Sequence, residues 1–334
     1  MIPNLRFDCV FLLAFAVVCA SGPATAAPSF VDALKAADAK YLEIPDAEWA
    51  DDTPKLDTGD YDEAGTPEPR EISKGAVRAV LTHREERRDD GETGLIPIVT
   101  IFADGQEVAK IEGEDVGFAD PPLGVQIAEM DPGNSYPEVV VSFYTGGAHC
   151  CSETSVFTAN ADGSNWKQVE IGMFDGSPMF AADLDGDGRY EFGARDNAFL
   201  YAFACYACSE TPLQVIAVEN GEMKNVSGEP RFQPAHGGWL KQMIETVSED
   251  GDPEGEDMNG FLAGYVGEKI LLNEGKQAWE LMLAHYDKES EWGLAICNQP
   301  LDEDGECPEG QEVKLTFPEA LEHMLKENGY KVEN

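Results

Sequence analysis

The chain has 334 residues, with 64 acidic and 23 basic side chains, a formal net charge of -41 and 43% hydrophobic residues. That apolar content is enough for a core and excludes disorder of the chain as a whole. Such an acidic surface repels nucleic acid and anionic membranes and attracts cations, so nucleic-acid binding is excluded first.

At the N-terminus, Arg6 precedes the apolar run Cys9 to Ala20, which is too short to span a bilayer as a mature helix. Ala24-Thr25-Ala26 gives the small-x-small pattern of a signal peptidase site, so residues 1–26 read as a signal peptide cut after Ala26. A retained anchor would want a longer run, and lipid attachment at Cys19 would want a small residue where Val18 stands. The protein is expected to be periplasmic or secreted, with no membrane insertion after cleavage.

Residues 27–75 read as an N-terminal helix and an acidic linker. Phe30, Leu34, Ala37 and Tyr41 share a helical face behind a Ser29 cap, and Asp46 to Glu71 is rich in Asp, Glu, Pro and Gly. From residue 76 to 230 the pattern is β. Short apolar runs flank Asp104-Gly105, Asp162-Gly163 and Asn220-Gly221, and Asx-Gly between such runs is a hairpin signal. The three turns recur at a period of about 58 residues, and Cys151-Ser152-Glu153-Thr154 recurs as Cys208-Ser209-Glu210-Thr211, so this region is read as an internal duplication. Residues 231–334 read as helical. Trp239 to Val247, Phe261 to Ile270, Ala278 to His285 and Leu321 to Leu325 carry helical apolar spacing, and Thr316 with Pro318 starts the last helix. The fold class expected is α+β: a β-repeat region, open or incomplete as a ring, followed by a helical C-terminal region.

The clearest chemistry lies in Asp183-Leu-Asp185-Gly-Asp187-Gly188-Arg189-Tyr-Glu191. Alternating carboxylates with glycines between them let a short backbone curl around a hard cation, and calcium takes six to eight oxygens. Asp183, Asp185 and Asp187 would each give a carboxylate oxygen, Arg189 its backbone carbonyl, and Glu191 would close the shell. An EF-hand loop needs Glu at its twelfth position, where Ala194 stands. The loop instead resembles the calcium loops of FG-GAP or VCBS repeats, as in integrin-α-type β-propellers, which run Asp-x-Asp-Gly-Asp-Gly into an apolar strand. The resemblance covers about residues 76–230 and implies propeller-like blades with a structural calcium. A second unit, with Glu129, Asp131, Asn134 and Glu138, departs from the pattern at Pro132.

Six cysteines follow the signal: Cys150, Cys151, Cys205, Cys208, Cys297 and Cys307. An even number in an oxidising compartment points to disulfides. The repeat suggests that Cys150 and Cys151 pair with Cys205 and Cys208, and the ten-residue separation suggests a local Cys297–Cys307 bond. Two alternatives use the same residues: a zinc or copper site of His149, Cys150, Cys151, Cys205 and Cys208, and a redox Cys-x-x-Cys, which lacks the βαβ context usual for that motif. No catalytic residues are assigned. The function expected is a calcium-stabilised binding module for a protein or carbohydrate ligand. The alternatives are a periplasmic metal-dependent enzyme and a structural envelope protein.

Overall fold

The computed structural model describes residues 29–46, 49, 52–58, 68–118, 121–147, 150–300, 302 and 306–332. The expected signal peptide, its cleavage site, His149 and the Cys150 side chain lie outside what is described. Two short helices come first, α1 (Phe30–Ala37) and α2 (Ala39–Leu42), then β1 (Lys55–Asp57). The strands β2 (Arg70–Lys74), β3 (Val77–Arg87), β4 (Thr93–Ala103) and β5 (Gln106–Glu112) form the first antiparallel sheet. β6 (Leu123–Ala128), β7 (Glu138–Tyr144), β8 (Cys150–Ala159) and β9 (Trp166–Asp175) form the second, with β1 added at its edge beside β6. β10 (Phe192–Arg195), β11 (Leu213–Glu219) and β12 (Glu222–Asn225) form the third.

All three Asx-Gly pairs turn hairpins. Asp104 and Gly105 have φ of 48° and 76°, and Asn220 and Gly221 have 54° and 70°, so both residues of each pair take the left-handed backbone that Asn, Asp and Gly tolerate best. Asp162-Gly163 lies in a longer connection between Ala159 and Trp166, which pair across the hairpin.

The sheets stack face to face and remain open. Val77, Ala79, Leu81, Val99 and Ile101 of the first sheet pack on Leu123, Val125, Val139 and Val141 of the second. The opposite face of the second sheet presents Val140, Val156, Val169 and Ile171 to Phe192, Ala194, Ile216 and Val218 of the third. A strand buried on both faces loses the polar alternation of a surface strand, which explains the unbroken run Val139-Val140-Val141. The other face of the third sheet, with Leu213, Val215 and Ala217, is covered by Phe232, Ala235 and Trp239. The open end of the stack is thus closed by helix. Residues 76–90 supply a strand of the first sheet and make no further blade.

The helical region contains α3 (Gln233–Asp250), α4 (Glu256–Leu271), α5 (Gly275–His285) and α6 (Phe317–Glu327), with a small hairpin of β13 (Ala295–Cys297) and β14 (Glu312–Lys314) before α6. Thr316 and Glu319 form a reciprocal capping box at α6. α4 is buried nearly all round, as expected of a helix at the centre of a core. The N-terminal helix belongs to this core: Phe30, Val31 and Leu34 pack among the C-terminal helices, and the Asp252 carboxylate accepts from the Phe30 and Val31 amides at 3.0 and 2.9 Å.

Two expectations need correction. The segment read as an exposed linker contributes two strands, β1 and the start of β2, because Leu56 and Ile72 find cover against the first core although each sits in a run too short and too acidic to signal a strand. The two Cys-Ser-Glu-Thr copies also differ in structure. The first lies within β8. The second ends a one-turn 3-10 helix (Tyr206–Cys208) and continues as irregular chain up to β11. α4 receives that chain on a stripe of glycines: a Cβ on Gly260 would lie 2.3 Å from the Cys208 carbonyl oxygen, and one on Gly264 would lie 2.4 Å from the backbone of Glu210.

Candidate metal centre

The acidic loop hangs between an isolated bridge, Ala182 to Glu191, whose amides and carbonyls exchange bonds of 2.9 and 2.8 Å. Gly186 and Gly188 take φ of 79° and 86°, which lets the loop reverse within a few residues. The Asp183 carboxylate accepts from the amides of Gly186, Asp187 and Gly188 at 2.7, 3.1 and 3.0 Å. Asp185 accepts from the Asp187 amide at 3.1 Å, and Asp187 from the Arg189 amide at 2.8 Å. One carboxylate oxygen from each of Asp183, Asp185 and Asp187 lies within 4.8 Å of the others, so three of the expected ligands converge. Glu191 stands at the floor with 3% of its side chain exposed.

Arg231, which no local pattern singled out, reaches the loop from the turn before α3. Its guanidinium is 3.1 Å from Asp185, 3.6 Å from Asp187 and 3.8 Å from Glu191. Three acids converge on one cation, which also bonds Glu229 at 2.8 Å. Glu191 is served poorly: one amide, that of Leu184, reaches it at 3.4 Å. Burial, aided by the charges of Asp185 and Asp187, pushes its pKa from 4.5 up to about 8.

The corresponding glutamate of the second unit is satisfied by protein. Glu138 is fully buried and accepts from the Met130 and Asp131 amides at 2.7 and 3.0 Å, from Asn134 at 3.0 Å and from Thr158 at 2.9 Å. Asp131 turns away from any cation position and accepts from the amides of Asn220 and Gly221 at 2.8 and 2.5 Å, locking the hairpin of the third sheet. The donor set at Asp183 to Glu191 is all oxygen and partly buried, with Glu191 short of hydrogen-bond donors, and it fits a hard divalent cation. The Asp131 loop does not.

The cysteines divide differently from the expected cross-unit pairing. Cys205 is bonded to Cys208, and Cys151 is in a disulfide with neither of them. The physical reason is proximity: a one-turn helix brings residues three apart within bonding reach, with Cα atoms 5.0 Å apart. Cys205 and Cys208 therefore have no thiolate to offer a zinc or copper ion. The local bond Cys297–Cys307 is present as expected.

Sequence reasoning also missed a cleft and a buried ion pair. The cleft, about 790 Å³, runs between the α4–α5 turn and the chain after α6, and its lining includes Asp196, Ser227, Glu274, Lys276 and Tyr330. Tyr330 donates to Asp196 at 2.7 Å in its wall. Behind it, His236 Nε2 donates to the Ser227 carbonyl at 2.8 Å, and Nδ1 is 2.8 Å from Glu268, whose other oxygen accepts from the Leu213 amide at 2.8 Å. Both side chains are fully buried. These residues lie tens of positions apart, and no spacing rule links them.

Fold and site together define an extracytoplasmic α+β protein of stacked open sheets capped by helices, with disulfides and one candidate cation loop. Residues 236–329 match the sll0997 C-terminal domain family. Over 264 residues the chain is 41% identical to the probable thylakoid lumen protein sll0997 of Synechocystis sp., covering 78% of this chain and 75% of that one. The chain belongs to the sll0997 family. It is also 31% identical over 270 residues to the uncharacterized protein y4bJ of Sinorhizobium fredii, covering 79% of this chain but 40% of that protein. No solved structure matches. A thylakoid lumen is the topological counterpart of the periplasm, and this chain likewise is periplasmic or secreted. Among the described residues no helix is long and apolar enough to cross a membrane.

Proposed function

We propose that the protein is a calcium-stabilised binding module of the periplasm or extracellular space, with the ion held by Asp183, Asp185, Asp187, the Arg189 carbonyl and Glu191, as in FG-GAP or VCBS repeats. The observation that carries the reading is Glu191: a buried carboxylate near Asp185 and Asp187, with one long amide contact and a share of an Arg231 that also meets Asp185, Asp187, Glu219 and Glu229. Its counterpart Glu138 has four good donors, so the fold knows how to satisfy this position with protein and does not do so here. A divalent cation would supply the missing charge and fix the strand that follows. The role is structural. The ligand-binding part of the reading rests on the polar cleft beside Tyr330, open to a protein or carbohydrate group.

A melting series in chelator, calcium and magnesium tests the ion. Free calcium at about 100 times Kd stabilises by about 2.7 kcal/mol and raises Tm by several degrees. Magnesium does less, because it insists on tight octahedral geometry and keeps its waters. Asp185→Ala removes most of the calcium gain, and Asp131→Ala leaves that gain in place. Identical wild-type melting in chelator and millimolar calcium, with no calcium by elemental analysis, overturns the reading.

A further inference from the structure

The Cys205–Cys208 bond sits in surroundings that a structural staple does not need. Its two cysteines are 3 residues apart against 10 for Cys297–Cys307, so it restricts the unfolded chain less than that bond does. The turn is also held without it. The Cys208 amide donates to the Cys205 carbonyl at 3.1 Å, and Ser209 Oγ donates to the same carbonyl at 2.8 Å. The chain beyond it is clamped on the glycine stripe of α4. Breaking the sulfur–sulfur bond therefore leaves the backbone where it is. Both cysteines are partly exposed.

Exposed apolar side chains are tied to the turn that carries the bond. Met173 is 54% exposed, Tyr201 52% and Trp292 39%, three of the five large apolar side chains that stand exposed among the described residues. Tyr201 and Trp292 connect to the Cys-x-x-Cys turn, and Met173 lies on the strand that meets it. Tyr201 packs on Tyr206, inside the Cys-x-x-Cys turn, with ring centroids 5.6 Å apart. Tyr206 donates to Asp175, two residues along β9 from Met173, and Trp292 Nε1 donates to the Tyr201 carbonyl at 3.0 Å. Tyr201 has φ of 59°, a left-handed backbone that a bulky aromatic side chain rarely adopts, and Ser209 Oγ accepts from its amide at 3.2 Å. Strain of this kind persists where the surrounding structure enforces it, and here it holds an exposed aromatic ring against Tyr206, between the two cysteines in sequence.

We propose that Cys205–Cys208 is a redox-active disulfide that exchanges with a dithiol protein docking on the patch of Met173, Tyr201, Tyr206 and Trp292. A partner thiolate attacks one sulfur and forms a mixed disulfide. The Cys205–Cys208 bond breaks, and the released sulfur leaves as thiolate and takes up a proton. The partner's second thiolate then attacks the mixed disulfide. Cys205 and Cys208 end as two thiols and the partner as a disulfide, so two electrons and two protons pass to this chain. The reverse sequence oxidises a partner. An extracytoplasmic compartment supplies such partners. The inference does not depend on calcium, and the test is run in chelator and in calcium alike.

The test follows reduction of the folded mature chain by thiol alkylation and peptide mapping, with reduced thioredoxin as the protein dithiol and dithiothreitol as the small one. Cys205–Cys208 opens in the native protein while Cys297–Cys307 stays closed, and thioredoxin acts at least about ten times faster than dithiothreitol at equal concentration. Met173→Gln with Tyr201→Asn, where Asn keeps the left-handed backbone, slows thioredoxin about tenfold and leaves the dithiothreitol rate unchanged. The unchanged small-molecule rate shows that the fold is intact. The proposal is overturned if Cys205–Cys208 opens only in urea. It is also overturned if thioredoxin is no faster than dithiothreitol, or if the double variant slows both reagents equally.

Discussion

Buried charges in this protein are settled one residue at a time. Glu138 is neutralised by four donors from its own loop and neighbouring strand, whereas His236 and Glu268 are settled by each other. For His236, burial alone would lower the pKa, but the hydrogen bond and charge of Glu268 outweigh it and raise it above 6.5. Burial likewise raises Glu268, against the pull of His236. Both shifts mean that the folded pair keeps protons that the unfolded chain has released. The two contributions share a sign: stability is greatest at low pH and falls as pH rises through the raised pKa of His236. His236→Ala leaves Glu268 buried without its partner and loses about 3–5 kcal/mol. Urea unfolding between pH 6 and 9 gives a falling stability in the wild type and a flatter profile in Glu268→Gln, where burial acts on His236 without the opposing carboxylate. Equal slopes in the two proteins would place the pH dependence elsewhere. Neither residue was legible in the sequence. Histidine and glutamate 32 positions apart on different helices make no pattern until the helices pack, whereas the carboxylates of Asp183 to Glu191 are close because the chain has no room to separate them.

Strands, turns and helix ends were largely legible, because each is dictated within a few residues. Asn220-Gly221 turns a hairpin since both residues tolerate positive φ, and Thr316 to Glu319 starts a helix since the two side chains cap each other. The fate of Cys208 to Thr211 was not legible. The sequence match to β8 is real, but the segment has no strand neighbour, and α4 offers its backbone a groove instead. That groove depends on Gly264. Replacing it with Ala improves helix propensity by about 1 kcal/mol. The added methyl, however, would stand 2.4 Å from the carbonyl carbon and oxygen of Glu210, and these are backbone atoms that cannot swing away. The clash decides the sign, so Gly264→Ala destabilises by about 1–3 kcal/mol net. Gly228, with nothing within 4 Å of its Cβ position, is the control, and its Ala variant stays within about 0.5 kcal/mol of wild type. If Gly264→Ala melts at or above the wild-type temperature, the groove is looser than these distances imply.

At the scale of the molecule, the layers are linked by side chains that belong to more than one of them. The change of texture near residue 230 suggests an independent helical domain, and the region matching the sll0997 C-terminal family starts close by. The core contradicts that independence. Phe30, Val31 and Leu34 come from the N-terminal helix, and Phe199 and Phe203 come from the chain between the first and second strands of the third sheet, yet all five pack among α3, α4, α5 and α6. Glu268 needs the Leu213 amide, His236 needs the Ser227 carbonyl, and Asp38 is paired at the buried Lys269. A fragment of residues 230–332 would take Asp38 from Lys269 and the Leu213 amide from Glu268, and open an apolar face on α4. Removing one member of a buried ion pair costs about 3–5 kcal/mol, a large share of the ~5–15 kcal/mol that holds a domain together. The fragment alone is therefore expected to keep helical far-ultraviolet circular dichroism but to lose the near-ultraviolet signal and any sharp thermal transition. The full mature chain, by contrast, melts with its sheets and helices in one transition. A fragment that unfolds cooperatively within about 5 °C of the full chain would show that the N-terminal helix and the third sheet decorate a self-sufficient helical domain.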